Sequence, residues 1–105
     1  MLFSKKLPDE GAMHSFWKWF SDNEQWIIET SKTSPTDVVF AVDEKLSPIF
    51  SYFKREIEFE FGYNDNQGEF FFFDLRNRRL HKDAVRLAEL MPENLKERWI
   101  FKIMH

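Results

Sequence analysis

The segment EFFFFDL spans residues 69–75 and places four consecutive phenylalanines in the chain. In a β-strand, alternation sends Phe70 and Phe72 to one face of the sheet and Phe71 and Phe73 to the other. A strand that is apolar on both faces suits the centre of a sheet. The segment therefore predicts a central strand. If all the helices pack on one side of the sheet, they cover only one pair of phenylalanine rings, and the other pair needs a different cover.

The residues before this segment alternate with a period of two between positions 54 and 61. The apolar positions are Ile57, Phe59 and Phe61, and the acidic positions are Glu56, Glu58 and Glu60. This pattern predicts a strand with one apolar and one acidic face, and the charges suit a sheet edge because they deter pairing with another chain. The connecting sequence GYNDNQG is rich in turn-forming residues, which predicts an antiparallel hairpin.

The residues after the segment predict a helix and a third strand. The helical stripe comprises Leu80, Ala84, Leu87 and Met91, and Pro92 ends it. In the strand, Trp99, Phe101 and Ile103 alternate with Ile100, Lys102 and Met104. Crossovers between parallel strands are right-handed, so the second and third strands are expected to run parallel, although this rule does not make them neighbours.

Two helices are predicted before the hairpin. The first covers residues 12–29, where Met13, Phe16, Phe20 and Ile27 share one face and Trp17, Trp19, Trp26 and Ile28 flank it. Ser21 and Glu24 also have the spacing of a capping box, which would divide this segment into two helices. The second helix is expected to begin after Ser34, because Pro35 suits the first helical position.

The second helix has an apolar stripe and one aromatic residue outside it. The stripe comprises Val38, Val42, Leu46 and Ile49. Ser47 and Pro48 are expected to end or kink the helix. Phe40 lies off the stripe, so it is either covered by another element or exposed, and the general preference of phenylalanine for protein interiors favours burial.

These patterns together predict an α+β fold with the element order α-α-β-β-α-β, in which helices pack on a three-stranded mixed sheet. A chain of 105 residues suits one core, so residues 1–105 are expected to form a single domain, with a flexible tail over about residues 1–11. The chain has no cysteine, so its 13 phenylalanines and 4 tryptophans must stabilise the core without disulfide bonds or zinc–thiolate sites.

The charge balance and the absence of targeting and cofactor motifs in the sequence argue against several classes of function. Eighteen acidic residues against 15 lysines and arginines give a net charge of −3, which argues against a nucleic-acid-binding protein, since such proteins are usually strongly basic. No stretch has the length of a signal peptide's apolar region or of a membrane span, so a cytoplasmic location without a membrane partner is expected. A phosphate-binding loop, a dinucleotide fingerprint and a serine-hydrolase elbow are all missing, so no cofactor and no catalytic residue is predicted.

The histidines and the basic residues form no recognisable site in the sequence. His14, His81 and His105 are far apart and lack the spacings typical of metal ligands, so no metal site is predicted. The only basic concentration comprises Arg76, Arg78, Arg79, Lys82 and Arg86, joined by His81. It could face a phosphate or an acidic partner, but acidic residues are interspersed, which favours a solvated helix start.

Several aromatic motifs give the chain a family resemblance. The sequences FWKWF, FEFG, GEFFF and, after a Met-Pro pair, WIFK occur in this order. Over about residues 16–102 the arrangement resembles a group of uncharacterised bacterial proteins. The resemblance implies no activity, cofactor or catalytic residue. Members of that group continue past the W-x-F strand, so the chain is either complete or a truncated relative.

Two hypotheses about function remain. In the first, the chain is a non-enzymatic protein-interaction module, either homodimeric or of the immunity type, whose acidic strand would suit a basic partner. The predicted partner-binding residues are Phe70, Phe72, Glu58, Glu60, Ile100, Lys102 and Phe40. The opening helix is the alternative cover for the apolar sheet face. In the second hypothesis, the chain is a small hydrolase or ligand-binding domain that uses Glu56, Glu58 and Glu60 with Arg76 or Arg79.

Overall fold

Five helices and three strands make up the part of the chain that the structure, a computed structural model, describes, which is residues 9–105. The elements are α1 (Glu10–Asp22), α2 (Glu24–Thr33), α3 (Pro35–Leu46), β1 (Glu58–Asn64), β2 (Gln67–Phe73), α4 (Arg78–Glu89), α5 (Glu93–Lys96) and β3 (Trp99–Met104). The α+β class and the three-stranded mixed sheet are confirmed, whereas the predicted order is wrong, because the chain runs α-α-α-β-β-α-α-β. None of these helices is long and apolar enough to cross a membrane.

The first additional helix arises because the predicted opening helix divides at Asn23. The backbone of Asn23 has φ −115° and ψ 12°, outside the helical region, and its Nδ2 donates a hydrogen bond to the Trp19 carbonyl oxygen at 2.8 Å. The side chain of Glu24 does not close a capping box, since it turns instead to Arg98 and Trp99. α1 therefore ends at Asp22 and α2 begins at Glu24.

The second additional helix, α5, has only four residues. A single turn is too short to show a helical period in the sequence, which explains why the prediction missed it. The Leu95 N–H donates a hydrogen bond to the Pro92 carbonyl oxygen at 3.0 Å, and the Leu95 side chain is fully buried. α5 thus adds one core side chain between α4 and β3.

The predicted flexible tail falls mostly outside the described residues. Asp9 caps α1, because its Oδ1 accepts a hydrogen bond from the Ala12 N–H at 3.0 Å. The helix begins at Glu10. Residues 9–11 therefore belong to the start of α1 rather than to a tail.

β2 occupies the centre of the sheet, as predicted, between β1 and β3. It pairs antiparallel with β1 through a tight turn in which Asp65 and Asn66 have φ 51° and 65°, and it pairs parallel with β3. β2 and β3 are therefore neighbours. The register places on one face, called the inner face, the residues Phe59, Phe61, Tyr63, Gly68, Phe70, Phe72, Trp99, Phe101 and Ile103.

The helices pack against this inner face. The ring centroid of Phe16 in α1 lies 6.2 Å from that of Phe70, and the ring of Phe50, beyond the end of α3, stacks on Phe72 with centroids 4.8 Å apart. From α4, the buried side chains are Leu80, Asp83, Ala84 and Leu87. Phe70 and Phe72 are therefore the pair that faces the helices, and one hydrophobic cluster includes both of them and residues of every helix.

Trp99 of β3 lies directly beside Gly68 of β2. A Cβ atom added to Gly68 would overlap the indole carbons Cε3, Cζ3 and Cδ2. The indole is 2% exposed, and its centroid lies 4.9 Å from that of Phe20 and 5.2 Å from that of Phe61. Only glycine leaves room for an aromatic ring at this distance from the backbone.

We expect Gly68→Ala to destabilise the fold, because the added methyl group must displace the Trp99 ring. Overpacking a core costs roughly 1–3 kcal/mol, so the free energy of unfolding measured in urea should fall by about that amount. Gly62→Ala is the matched control, since Gly62 lies in β1 and a Cβ there would meet no atom within 4 Å. Equal stability of the two variants would contradict this account of the sheet.

A second contact ties the same tryptophan to α2. Glu24 accepts hydrogen bonds from Arg98 Nε at 2.6 Å and Nη2 at 2.9 Å, and its Oε2 also accepts the Trp99 Nε1 hydrogen bond at 2.9 Å. The Glu24 side chain is 16% exposed. The hydrogen bonds from Arg98 outweigh the effect of burial and, with that of Trp99, hold the pKa of Glu24 below its usual value.

We expect Glu24→Gln to lower the free energy of unfolding at neutral pH by about 1–2 kcal/mol, because a neutral amide loses the charge-assisted hydrogen bonds. Since folding lowers the pKa of Glu24, its contribution is present above the pKa of the unfolded chain, about 4.3, and is lost as the pH falls through the folded value. The difference between wild type and variant, measured by urea denaturation, should therefore shrink in acid.

Glu10→Gln is the matched control for this experiment. Glu10 makes the same paired contact, with Arg86 Nε at 2.8 Å and Nη2 at 3.1 Å, but the Glu10 side chain is 44% exposed. Exposed ion pairs contribute little to stability. A loss for Glu10→Gln as large as that for Glu24→Gln would show that the buried hydrogen bond to Trp99 does not matter.

Candidate functional site

The outer face of the sheet lies outside the hydrophobic core. Its residues, in register across the three strands, are Glu58, Glu60, Gly62, Glu69, Phe71, Phe73, Ile100, Lys102 and Met104. Phe71 and Phe73 are half-buried and do not belong to the core cluster, and Ile100 and Met104 are 37% and 38% exposed. The outer face is therefore a mixed surface with an apolar centre and charged margins.

Four of the seven predicted partner-binding residues lie on this face, and three do not, because Phe70 and Phe72 lie on the inner face and Phe40 lies in α3. Those on the face, all exposed, are Glu58, Glu60, Ile100 and Lys102. Phe70 and Phe72 are only 1% and 0% exposed, so their placement is corrected: they are core residues, and Phe71 and Phe73 occupy the outer positions. Strand alternation determines which rings share a face, but contacts with the helices decide which face is covered.

A groove opens where the edge of the sheet meets α3, with a volume of about 530 Å³. We call it the acid-rimmed groove, and its lining residues are Val39, Phe40, Asp43, Glu56, Ile57, Glu58, Phe59, Glu60 and Phe73. Phe40 is 70% exposed, so the expectation that it is buried is wrong. The buried stripe of α3 consists of Val38, Val42 and Leu46, and Phe40 projects away from it.

The charges along the groove are all of one sign. Its four carboxylates belong to Asp43, Glu56, Glu58 and Glu60, and within residues 9–105 no lysine, arginine or histidine lines it. Glu58 and Glu60 lie two positions apart on β1, so their side chains project on the same side at a spacing of roughly 7 Å. The groove therefore combines an apolar floor with a negative potential.

The arginines that the hydrolase hypothesis requires do not line this groove. The guanidinium carbon of Arg79 lies 3.4 Å from the ring centroid of Tyr52, and its Nε lies 3.9 Å from Asp83 Oδ2. The Tyr52 hydroxyl donates a hydrogen bond to Asp83 at 2.7 Å, and burial, reinforced by this hydrogen bond, raises the pKa of Tyr52. Arg76 lines a separate cavity. The glutamate row therefore lacks the cationic partner proposed for catalysis.

A second constellation lies at the carboxyl ends of β2 and β3. Asp74 Oδ2 is 2.9 Å from Nδ1 of His81 and 3.0 Å from Nδ1 of His105. The two imidazole rings are stacked, with centroids 6.0 Å apart and planes inclined by 21°. The Asp74 side chain is 2% exposed, whereas those of His81 and His105 are 45% and 68% exposed. We call these three residues the Asp–His cluster.

The sequence gives no sign of this cluster, because His81 and His105 lie 7 and 31 positions after Asp74, which are not recognised ligand spacings. The signal that would have found it is topological. Asp74 directly follows β2, His105 directly follows β3, and neighbouring parallel strands end at the same edge of a sheet. His81 joins them from the first turn of α4.

The Asp–His cluster lies in a cavity of about 540 Å³. The other lining residues of this cavity, which we call the basic cavity, are Arg76, Asn77, Arg78 and Lys82. Burial disfavours the ionised form of Asp74, but the Arg76 N–H, which donates to Oδ1 at 2.9 Å, and the two imidazoles outweigh it and hold the pKa of Asp74 below its usual value. A carboxylate is thus held in a fixed orientation beneath two accessible imidazoles.

Comparisons with known proteins do not assign either surface. No protein-family model, no curated protein and no solved structure matches this chain. The resemblance to uncharacterised bacterial proteins stays a prediction.

Proposed function

We propose that this protein is a non-enzymatic binding module that holds an extended, basic segment of a protein partner in the acid-rimmed groove. The observation that carries the proposal is the combination of an apolar floor with four carboxylates and no described cationic side chain. Recognition of extended segments commonly uses this combination, because apolar contacts supply affinity and charges select the partner.

The interval between the carboxylates of the groove suits an extended segment. Glu58 and Glu60 repeat along β1 at the interval of alternate residues in a strand, roughly 7 Å. An extended segment with lysine or arginine at every second position repeats its charges at the same interval. The residues between these cations would then face the opposite way, toward the apolar lining residues Val39 and Phe59.

The exposed phenylalanine supplies the apolar part of the interaction. Phe40 is 70% exposed at the rim of the groove. Burying a phenylalanine side chain from water contributes roughly 1.5–3 kcal/mol. The fold gains little of this energy while Phe40 remains exposed, so the energy is available to a partner that covers it.

A basic partner fits the groove better than a second copy of the chain. Two copies that met through this groove would oppose the carboxylates of Asp43, Glu56, Glu58 and Glu60 to an identical set, and like charges across an interface cost several kcal/mol. The net charge of −3 also favours encounter with a cationic protein through long-range attraction. This repulsion disfavours a homodimer that forms through the groove.

The first test is a charge reversal in the groove. The double variant Glu58→Lys/Glu60→Lys should bind a synthetic peptide of alternating lysine and valine at least about tenfold more weakly than wild type, because attraction becomes repulsion. Fluorescence anisotropy of the labelled peptide measures the affinity. A matched peptide of alternating glutamate and valine should not bind wild type.

Glu93→Lys/Glu97→Lys is the control, because it changes the net charge equally at exposed positions outside the groove. It should retain most of the wild-type affinity. If both double variants lost the same affinity for the peptide, the loss would be explained by net charge alone, and the groove would not be the binding site. A stable dimer in sedimentation equilibrium that the groove variant dissociates would assign the groove to a second copy instead.

The second test removes the exposed ring. We expect Phe40→Ala to change the free energy of unfolding by less than about 0.5 kcal/mol, since surface substitutions rarely do more. The same variant should weaken binding of the lysine–valine peptide, because the peptide then covers less apolar surface. Phe50→Ala is the contrasting core variant, since Phe50 is 2% exposed and its loss should cost roughly 3–5 kcal/mol of stability. Unchanged affinity in Phe40→Ala would exclude this ring from the binding site.

A further inference from the structure

We propose that Asp74, His81 and His105 form a binding site for a divalent transition-metal ion of the zinc class. This site is separate from the acid-rimmed groove, since the two cavities share no lining residue. Imidazole and carboxylate are the ligand types that Zn²⁺, Ni²⁺ and Cu²⁺ accept in proteins. The inference is independent of the proposed binding function.

The distances within the cluster suit a metal ion. One donor atom from each of the three residues lies within 4.8 Å of the other two. Ligand atoms around a tetrahedral zinc ion, with bonds of about 2.0–2.2 Å, are separated by roughly 3.4 Å. The contacts of 2.9 Å and 3.0 Å from Asp74 Oδ2 to the two Nδ1 atoms therefore have to widen by only about half an ångström. Rotation of two exposed imidazole rings supplies such a movement.

The carboxylate of the cluster is already ordered before any ion binds. Asp74 Oδ1 accepts the Arg76 N–H hydrogen bond at 2.9 Å, and the Asp74 N–H donates to the Met104 carbonyl oxygen at 2.8 Å. A ligand that is fixed by such supporting contacts loses little conformational freedom on binding. The buried end of the site is thus rigid, and the two histidines at its exposed end are free to adjust.

Metal binding would exchange the hydrogen bonds inside the cluster for coordination bonds. Each Nδ1 that donates to Asp74 carries a proton, and a neutral imidazole that ligates through Nδ1 carries its proton on Nε2 instead. The side chains of His81 and His105 are 45% and 68% exposed, so water can move the proton between the two nitrogens of each ring. The ion would take the place of the two Nδ1 protons beside Asp74 Oδ2, and each neutral ring would keep its one proton, on Nε2.

The basic side chains around the cluster shape what the site can hold. Arg76, Arg78 and Lys82 line the same cavity and are all exposed, so they repel a bare cation through solvent that screens the interaction. Three protein ligands leave at least one coordination position open. These three cations are therefore placed to favour an anion, such as phosphate, at that open position once the metal is bound.

The test is calorimetric titration of the full chain, without a histidine tag, with ZnCl₂ at neutral pH. We expect saturable binding of one ion per chain. His81→Ala and His105→Ala should each weaken binding by more than about tenfold, since each removes a ligand. His14→Ala is the matched control, because His14 is an exposed histidine on α1 outside the cluster, and it should bind as wild type does.

Asp74→Asn tests the third ligand, because its amide oxygen can still accept the Arg76 N–H hydrogen bond while the negative charge is lost. Circular dichroism separates unfolding from loss of the site, and His105→Ala keeps the proposal testable should the Asp74 variant unfold. Absence of saturable binding, or equal affinity in His14→Ala and His81→Ala, would overturn the proposal. Binding of phosphate without zinc, lost in His81→Ala, would reassign the cavity to an anion and overturn the metal site.

Discussion

The contact between Trp99 and Gly68 is the constraint on which the rest of the structure depends. The indole occupies the space that a side chain at position 68 would fill, and this fixes the register of β3 on β2. In this register Phe70 lies beside Phe101 on the inner face, and Phe71 lies beside Lys102 on the outer face. The hydrogen bond from the same indole to Glu24 joins this part of the sheet to α2. This close approach thus fixes which residues of β2 and β3 share a face, and the helices then cover the inner one.

The outer face shows how a small sheet can keep aromatic side chains without a cover of its own. Phe71 is half-buried rather than bathed in water, and the Lys102 ammonium lies 6.0 Å from its ring centroid. Long charged side chains cover apolar neighbours with their aliphatic stems while their charges remain solvated. A partner can easily displace such a side chain, because an exposed side chain loses little interaction energy when it moves. The face therefore remains available to a partner, as the proposed binding function requires.

The sequence predicts the elements better than it predicts their environment. The hairpin, the central strand and the buried stripe of α4 follow from periodicity and turn residues, and all three are present. The predictions that Phe72 faces outward and that Phe40 is buried are wrong. Burial depends on which other elements pack against an apolar side chain, and the periodicity within one element does not carry that information. The sequence leaves two interpretations of the opening helix, one continuous and one divided by a capping box. The structure divides it at Asn23, whose side chain donates a hydrogen bond to the Trp19 carbonyl oxygen, and no capping box forms.

The sequence spacing of Asp74, His81 and His105 does not reveal the Asp–His cluster, but the parallel arrangement of β2 and β3 explains it. β2 and β3 are neighbouring parallel strands, so the residues that follow them lie at the same edge of the sheet, where Asp74 and His105 meet. The placement of the charged residues adds information that the net charge of −3 does not carry. The fold gathers acidic residues along β1 and basic residues around the start of α4, so it presents two cavities of opposite character. A composition that argues against polyanion binding for the whole chain therefore does not argue against an anion beside a metal ion in one of them.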